Sequence, residues 1–345
     1  MAGLWTEGFE THQTGTQWDR RYASRSGSFT IQPGRVFGSS GSLSAPVFVI
    51  PSFGLETTVG VAFGVNLLAQ VADLNTDAEG FYIERGGVEQ VHLEFVSNAG
   101  SFEMRVMRGA TQLGITTEAF VYNAWHHFEL KVVPNTATGS FELRHNEVNV
   151  LSASGINTAG SGSNQADGFA MRFESISTSA RLDDIGVWGG SGAAPTDFVG
   201  DSVVEGIQVT GAGASTQWTP SAGSNFDNVD DAGNGAPDDV GAGGYNESDT
   251  VGQIDLYAYG DLTQIDGTVL WVQLDTQLAM AAMGSRNVTT KYRDPDTTVV
   301  DIATKAVTLT LYGGFADVMS VNPNGAAAWD VADIDGGQFG VELDS

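Results

Sequence analysis

Apolar and polar side chains alternate along much of the chain, in short runs separated by glycine, serine, threonine, asparagine and aspartate. In the run SFEMRVMR, for example, Phe102, Met104 and Val106 alternate with other residues, which is the two-residue period of a half-buried β-strand. Similar runs recur throughout, and the 45 glycines mark frequent turns between them. The pattern predicts an all-β protein built from two antiparallel β-sandwich (jelly-roll) domains in tandem.

Two local patterns refine this prediction. The residues PNTATG lie between the strand-like runs HHFELKVV and GSFELRHN, so they predict a hairpin turn. Near the C-terminus, AAAWDVADIDGGQFG predicts a one-turn helix before a final strand. No fixed repeat or heptad pattern occurs, so the sequence predicts no fibre shaft.

Length and charge both indicate two domains. The chain has 345 residues, more than a domain with a single hydrophobic core usually contains. Residues 1–190 hold 19 acidic and 11 basic side chains, whereas 191–345 hold 23 and 4, so the net charges are −8 and −19. The run GGSGAAPTD at this change is typical of a linker. We therefore predict domains at 1–190 and 198–345, joined by a linker at 191–197.

Composition excludes several classes of function. With 42 acidic against 15 basic residues, a net charge of −27 would repel nucleic acid and anionic membranes. The chain has no cysteine, which excludes disulfides, thiolate metal sites and cysteine nucleophiles. No stretch of eighteen apolar residues occurs, and the start MAGLWTEGFE lacks the pattern of a secretion signal. We expect neither nucleic-acid binding nor membrane insertion.

The first half resembles the laminin-G-like, concanavalin-A-like jelly-roll family. The resemblance is carried by NAWHHFELKVV, the hairpin with GSFELRHNEV, then FAMRFESI and ARLDDIGVW, together with the opening WTEGFE. It covers residues 1–190 and implies a lectin-like sandwich in which the strand with Asp183 and Asp184 returns beside the N-terminal strand. Trp125 and His126 stand where the family has a Trp-His pair before a strand.

The second half is similar to a β-domain of bacteriophage virion proteins. The segments concerned are STQWTPSAGSNFDNVDD, GQIDLYAYGDL and the terminal NPNGAAAWDVADIDGGQFGVELD. This resemblance implies a structural protein exposed on the phage particle, as a capsid decoration or a tail appendage, with host glycans as candidate ligands. Its partners would be other capsid or tail proteins, it would form a homo-oligomer that follows particle symmetry, and the virion would assemble in the bacterial cytoplasm.

No catalytic constellation stands out, so we expect a non-enzymatic protein. Glycoside hydrolases use two carboxylates across the scissile bond, and the spacing Glu-x-Asp-x-x-Glu or Glu-x-Asp-x-Glu does not occur. The five histidines show no zinc-site spacing, and no Gly-x-Ser-x-Gly elbow is present. Two alternatives stay open, namely a free carbohydrate-binding module and a hydrolase of host surface polysaccharide.

Two kinds of candidate binding residue remain, and neither requires a cofactor. The loop FDNVDDAGNGAPDDV supplies hard oxygen ligands of the kind Ca²⁺ prefers, although it does not fit the EF-hand pattern. Trp18 and Trp218 have polar neighbours, so they are candidate exposed platforms for a sugar ring. The candidate calcium ligands in the loop are Asp230, Asp231, Asp238 and Asp239.

Overall fold

A computed structural model gives the fold of the chain. It describes residues 3–9, 24–35, 39–68, 79–98, 100–173, 177–229, 244–263, 267–281, 283–308 and 313–345. The described residues up to Val204 form one compact unit, and those from Glu205 onward belong to a second. We refer to them as unit 1 and unit 2. The described part is almost entirely antiparallel β-structure, which confirms the predicted fold class.

Unit 1 consists of strands joined by short turns, as the alternating pattern predicts. The run SFEMRVMR forms one of them, and Phe102, Met104 and Val106 are fully buried. The strands are β1 (Gly3–Glu7), β2 (Ser24–Pro33), β3 (Ser39–Val49), β4 (Val59–Leu67), β5 (Glu79–Arg85), β6 (Val88–Asn98), β7 (Ser101–Arg108), β8 (Thr111–Ile115), β9 (Phe120–Val121), β10 (His126–Val133), β11 (Gly139–His145), β12 (Val148–Ile156), β13 (Gly168–Phe173) and β14 (Ser177–Gly189).

These strands form one hydrogen-bonded path that folds over into a sandwich. The order is β12-β11-β10-β4-β14-β3-β13-β5-β6-β7-β8, with β1 on β14, β2 on β3 and β9 on β7. Phe63 of β4 stacks on Phe81 of β5 with 3.9 Å between ring centroids, although three strands separate β4 from β5 along the path. The β12–β14 side therefore faces the β13–β8 side across an aromatic core, to which Phe95, Phe128 and Phe169 also belong.

Two predicted connections are present in unit 1. Strands β10 and β11 form the expected hairpin around PNTATG, with Val133 paired to Ser140. Strand β1 runs antiparallel to β14, so the strand that holds Asp183 and Asp184 lies beside the N-terminal strand as the jelly-roll resemblance implies.

Unit 2 is a smaller two-layer arrangement. Its elements are β15 (Val209–Thr216), β16 (Thr219–Pro220), β17 (Asn246–Glu247), β18 (Ile254–Tyr259), β19 (Val272–Leu278), β20 (Arg286–Arg293), β21 (Val299–Val307), β22 (Gly313–Met319), α1 (Val331–Asp335) and β23 (Gln338–Leu343). Five of the strands form a sheet with the order β15-β18-β23-β20-β21, and two further pairs are β16–β17 and β19–β22. Leu274 of β19 and Met319 of β22 share a core cluster with Tyr292 and Phe339 of the larger sheet, so the β19–β22 pair packs on that sheet.

The predicted one-turn helix is confirmed as α1. Asp330 is its N-cap and accepts from the backbone N–H of Ala332, while the Asp333 carboxylate accepts from the backbone N–H of Asp330. This reciprocal arrangement is a capping box, which satisfies backbone donors that the first helical turn leaves open.

The segment after β14 lies against unit 1. Phe198 packs at the edge of Trp188, and its ring centroid lies 3.6 Å from the guanidinium carbon of Arg144. Val204 donates its backbone N–H to Asp184. The division between the units falls after Val204, whereas the sequence analysis places a linker at 191–197 and begins the second domain at 198.

Candidate functional site

The outward face of strands β13, β5, β6 and β7 carries an unusual set of charged side chains. On these strands the inward positions hold the aromatic core, so the alternate positions point away from it. Strand pairing places Tyr82 opposite His92, and Glu94 opposite Arg105. We call this surface the His92 face, and its members are Tyr82, Glu84, Glu89, Gln90, His92, Glu94, Arg105 and Arg172.

A glycine turn sets the register of this face. Gly86 and Gly87 connect β5 to β6 with φ angles of 57° and 74°. Two successive left-handed residues form the hairpin turn that matches the twist of antiparallel strands, and glycine adopts this conformation without a steric penalty. The turn thereby fixes which residues of β5 and β6 lie side by side.

His92 is held between two carboxylates. Its Nδ1 lies 2.7 Å from Oε1 of Glu89, and its Nε2 lies 2.8 Å from Oε1 of Glu94. Burial opposes the charged ring, but these two contacts outweigh it and raise the pKa of His92. The same contacts overcome burial to lower the pKa of Glu89 and Glu94. An imidazolium that donates from both nitrogens is a fixed positive charge rather than a free base.

Two arginines complete the network. Arg105 donates from Nε to Oε2 of Glu94 at 2.6 Å, and Arg172 forms an ion pair with Glu84. The guanidinium of Arg172 also lies 4.4 Å from the ring centroid of Tyr82, which stacks on His92 at 4.7 Å. Burial raises the pKa of Glu84, although Arg172 acts against that shift.

Buried Gln90 anchors one end of the His92 face to the loop before β13. Its side-chain amide donates to the carbonyls of Ser163 and Gln165 at 2.9 and 2.6 Å, and its Oε1 accepts from the backbone N–H of Ser161. Each polar atom of this fully buried side chain therefore has a partner. These hydrogen bonds attach the loop to β6.

A second polar cluster lies on the opposite side of the sandwich, outside β10, β4 and β14. We call it the Arg35 cluster. Arg35 donates from Nε to Asp184 at 2.7 Å and from Nη1 to Asp201 at 2.5 Å, and its backbone N–H donates to Asp183 at 2.6 Å. Glu129 accepts from the backbone N–H groups of Val199 and Gly200 at 2.7 and 3.1 Å.

A β-bulge brings both aspartates to this cluster. Consecutive strand residues normally point to opposite faces, but the pairing of β14 with β4 shifts register between Asp183 and Gly186. Asp184 has a φ of 51°, the left-handed conformation that is rare outside glycine. Burial, followed by the neighbouring Asp184, raises the pKa of Asp183 to about 8. Residues 197–204 cover these carboxylates, which indicates a structural role in holding that segment on unit 1.

His127 lies beside the Arg35 cluster and is buried as a neutral ring. It is 2% exposed, and neither ring nitrogen has a hydrogen-bond partner among the described residues. Burial, and next the charge of Arg35, lower the pKa of His127 to about 4. The folded state therefore resists protonation, and stability is lost as pH falls from about 6.5 towards 4, by up to roughly 3 kcal/mol.

We expect His127→Leu to abolish this loss of folding stability at acidic pH. Urea unfolding between pH 7 and pH 4 should show the variant close to the wild type at pH 7 and more stable than it at pH 4. Parallel pH profiles for the two proteins would contradict the burial of a neutral ring.

Among the residues proposed from the sequence as ligands, Trp218 is the one within the described part of the chain, and it does not belong to the His92 face. Trp18 and the loop aspartates fall outside the described residues, and these aspartates are Asp230, Asp231, Asp238 and Asp239. Trp218 is half-buried, packs against a small apolar cluster of unit 2, and donates from Nε1 to the carbonyl of Gln253 at 3.1 Å. In the described part of the chain, no group of three or more histidine and carboxylate side chains is arranged to hold a metal ion. No described helix is long and apolar enough to cross a membrane.

Sequence patterns alone do not predict the His92 face. A signal was present in QVHLEF, where Gln90, His92 and Glu94 occupy alternate positions of one strand. Three titratable or amide side chains on one side of a strand are common at solvated surfaces, so this signal becomes informative only once their burial is known. Gln90, His92 and Glu94 are each at most 3% exposed.

Comparison with known proteins gives matches among solved β-sandwich structures. Domain 4 of AbnA, a GH43 extracellular arabinanase from Geobacillus stearothermophilus, in complex with arabinotriose, matches at 12% identity and TM-score 0.37, over 55% of this chain and 93% of that one. Alginate lyase Aly36B in complex with alginate tetrasaccharide matches at 12% identity and TM-score 0.36, over 54% of this chain and 96% of that one. Endo-β-1,4-glucuronan lyase from the fungus Trichoderma reesei matches at 12% identity and TM-score 0.33, over 54% of this chain and 94% of that one.

No family model matches the sequence, and no curated protein matches it. None of the three structures is described as a phage protein. With TM-scores below 0.5, these matches assign no activity or ligand to this chain.

The matches do correct one expectation. The expectation of a non-enzymatic protein, drawn from the missing glycosidase carboxylate pair, zinc-site spacing and Gly-x-Ser-x-Gly elbow, is wrong, because lyases occur among the matched β-sandwiches. A lyase cleaves by elimination and needs groups that move a proton and neutralise charge rather than a glycosidase pair. The missing carboxylate motif therefore does not exclude catalysis.

Proposed function

We propose that unit 1 binds a glycan on the His92 face. The observation that carries this proposal is a network of paired charged side chains held on the outward side of a sheet. Glu84, His92 and Glu94 are only 3% exposed, yet all are charged groups with specific partners. Charged groups are seldom buried so completely without a structural or functional reason.

The burial of the Tyr82 ring determines what kind of contact a sugar could make on this face. Tyr82 is 4% exposed and already stacks on His92, so its ring is not an open platform for a sugar. Recognition would rest instead on hydrogen bonds from the partly exposed guanidinium groups of Arg105 and Arg172 to sugar oxygens. Strands hold those groups in fixed positions, which lowers the entropy lost on binding.

The test is glycan-array screening of the full-length protein, followed by titration of the best ligand against point variants. Arg172→Gln removes a partly exposed guanidinium of the His92 face and should weaken binding about tenfold or more, as expected for a charge-assisted hydrogen bond. Arg144→Gln is the matched control, because Arg144 lies on β11 on the opposite side of the sandwich and is similarly exposed. Failure to bind any glycan on the array would reject the proposal.

We further propose that this glycan-binding module belongs to a phage particle, and the support for this setting is the sequence resemblance of residues 198–345. In this setting the module is displayed on a capsid or tail, joined to other virion proteins in an oligomer that follows particle symmetry. Electron microscopy with an antibody against this chain tests the setting, and unlabelled virions would reject it. Calcium binding at residues 230–239 stays a prediction, to be tested by calorimetric titration with Ca²⁺.

A further inference from the structure

The charged groups of the His92 face lie in two layers. The side chains of Arg105 and Arg172 are 22% and 30% exposed, whereas those of Glu94 and Glu84 are 3% and 4% exposed. Each carboxylate therefore sits beneath the arginine that it orients. A ligand approaching from solvent meets these two guanidinium groups before Glu84 and Glu94, with the Glu89 carboxylate, 22% exposed, beside them.

Local charge on this face is close to balance, unlike the charge of the whole chain. Strands β13, β5, β6 and β7 carry four arginines and His92, whose pKa is raised, against five glutamates, in a protein with net charge −27. Salt at physiological strength screens charges over about 8 Å, so a bound group responds mainly to side chains in its immediate surroundings. The arginine layer can therefore attract an anion even though the protein as a whole repels one.

The carboxylates beneath the arginines fix the orientation of each guanidinium group. Glu94 accepts from Nε of Arg105, and among the described contacts Glu84 accepts from Nη2 of Arg172. A guanidinium has five N–H donors in one plane, and this fork matches the geometry of carboxylate or sulfate oxygens. An arginine fixed on one side by a buried carboxylate is already oriented for a second anion.

The two arginine–carboxylate pairs are too far apart to share one small anion. Arg172 on β13 pairs with Gly80, Gly80 pairs with Glu94, and Glu94 pairs with Arg105, so the two arginines lie three strands apart across the sheet. At about 4.8 Å between neighbouring strands, their backbone positions are roughly 14 Å apart. A single carboxylate or sulfate cannot span this distance, whereas a polymer with an anionic group on successive sugars can reach both pairs.

We propose that the ligand of the His92 face is an acidic polysaccharide, whose carboxylate or sulfate groups bind Arg172 and Arg105. This inference rests on the proposed glycan binding and narrows it to one class of glycan. The anionic groups contact the arginine layer, and the hydroxyl groups between them contact the neighbouring side chains of the same sheet.

The experiment compares charged polymers with neutral counterparts of the same backbone, using the full-length protein. The probes are polygalacturonate, polymannuronate and polyglucuronate against their carboxyl-reduced forms, and dextran sulfate against dextran. We expect at least one acidic polymer to bind about tenfold or more tightly than its neutral counterpart, with affinity that falls as salt rises. The uronate and sulfate arms identify which anionic group is recognised.

Variants locate the binding. Arg172→Gln should abolish most of the preference for the acidic polymer, and Arg144→Gln should leave it unchanged. Arg105→Lys keeps a positive charge beside Glu94 but removes the planar fork, so it should retain folding and weaken acidic-polymer binding severalfold. Near-UV circular dichroism verifies that each variant is folded.

Each outcome has a distinct meaning. Equal affinity for acidic and neutral forms would overturn the acidic-ligand inference and leave glycan binding intact. Absence of binding to every polymer and to the glycan array would overturn both. Acidic-polymer binding that Arg172→Gln and Arg105→Lys leave unchanged would place the anion site elsewhere and overturn the inference as well.

Discussion

Replacing Arg35 with methionine will lower the free energy of unfolding of unit 1 by about 3–5 kcal/mol near neutral pH. Arg35 is the cation that faces the buried Asp184, and it also bonds Asp201 and the carbonyl of Ser202. Methionine fills a similar volume but leaves the buried Asp184 carboxylate without its compensating charge. An uncompensated buried charge is far more destabilising than a lost surface ion pair. Urea unfolding followed by circular dichroism and tryptophan fluorescence measures the difference.

Lys131→Met provides the matched control for Arg35. Lys131 forms an ion pair with Asp197, whose side chain is 68% exposed, so the pair is accessible to water. Its removal should change stability by no more than about 1 kcal/mol. Equal losses for the two variants would show that the Arg35 cluster is not the buried charge network described above.

Replacing His92 with glutamine will destabilise unit 1 by about 2–4 kcal/mol at pH 6, because the change removes the positive charge between two carboxylates and one of the two hydrogen bonds to them. Glutamine can donate to Glu89 or to Glu94 but presents its carbonyl oxygen to the other. Arg105 stays in place to compensate Glu94, so the protein should still fold. The same unfolding measurement detects the loss.

The effect of His92→Gln should depend on pH in a defined direction. Because the folded protein raises the pKa of His92, its stabilisation is complete below about 6.5 and is lost as pH rises through the folded value. Glu89 and Glu94 have lowered pKa values, so their contribution is lost as pH falls below about 4.3. The difference between wild type and variant should be largest between these limits and shrink at alkaline pH. A difference that stays constant up to pH 10 would contradict a charged His92.

Local patterns accounted for much of the fold. The alternation in SFEMRVMR predicted β7, the turn residues PNTATG predicted the β10–β11 hairpin, and the segment around Asp330 and Asp333 predicted α1. Each of these signals acts within a few residues, where the chain's own periodicity and capping chemistry decide the outcome.

The candidate site could not be predicted in this way, because its parts are distant in sequence. Arg172 reaches Glu84 only because β13 pairs with β5, about half the length of unit 1 away. The Arg35 cluster likewise joins Arg35 to Asp184 and Asp201. Periodicity identifies which side of a strand a residue occupies, but it does not identify the neighbouring strand or the segment that covers it.

The segment after β14 illustrates the same limit. Its glycine, alanine and proline content is typical of a linker, and the charge change near residue 190 supports a boundary there. In the structure, Phe198 and Val204 bond or pack against unit 1 through Arg144 and Asp184. The composition of a segment indicates how flexible it is on its own. It does not show that β11 and β14 provide side chains to which the segment binds.

Hydrogen–deuterium exchange of the full-length protein, with and without a bound acidic polysaccharide, tests the central claim most directly. The account predicts slower exchange on β5, β6, β7 and β13, and unchanged exchange on β10, β11 and β12 across the sandwich. Protection confined to those opposite strands, or to unit 2, would contradict a binding site on the His92 face.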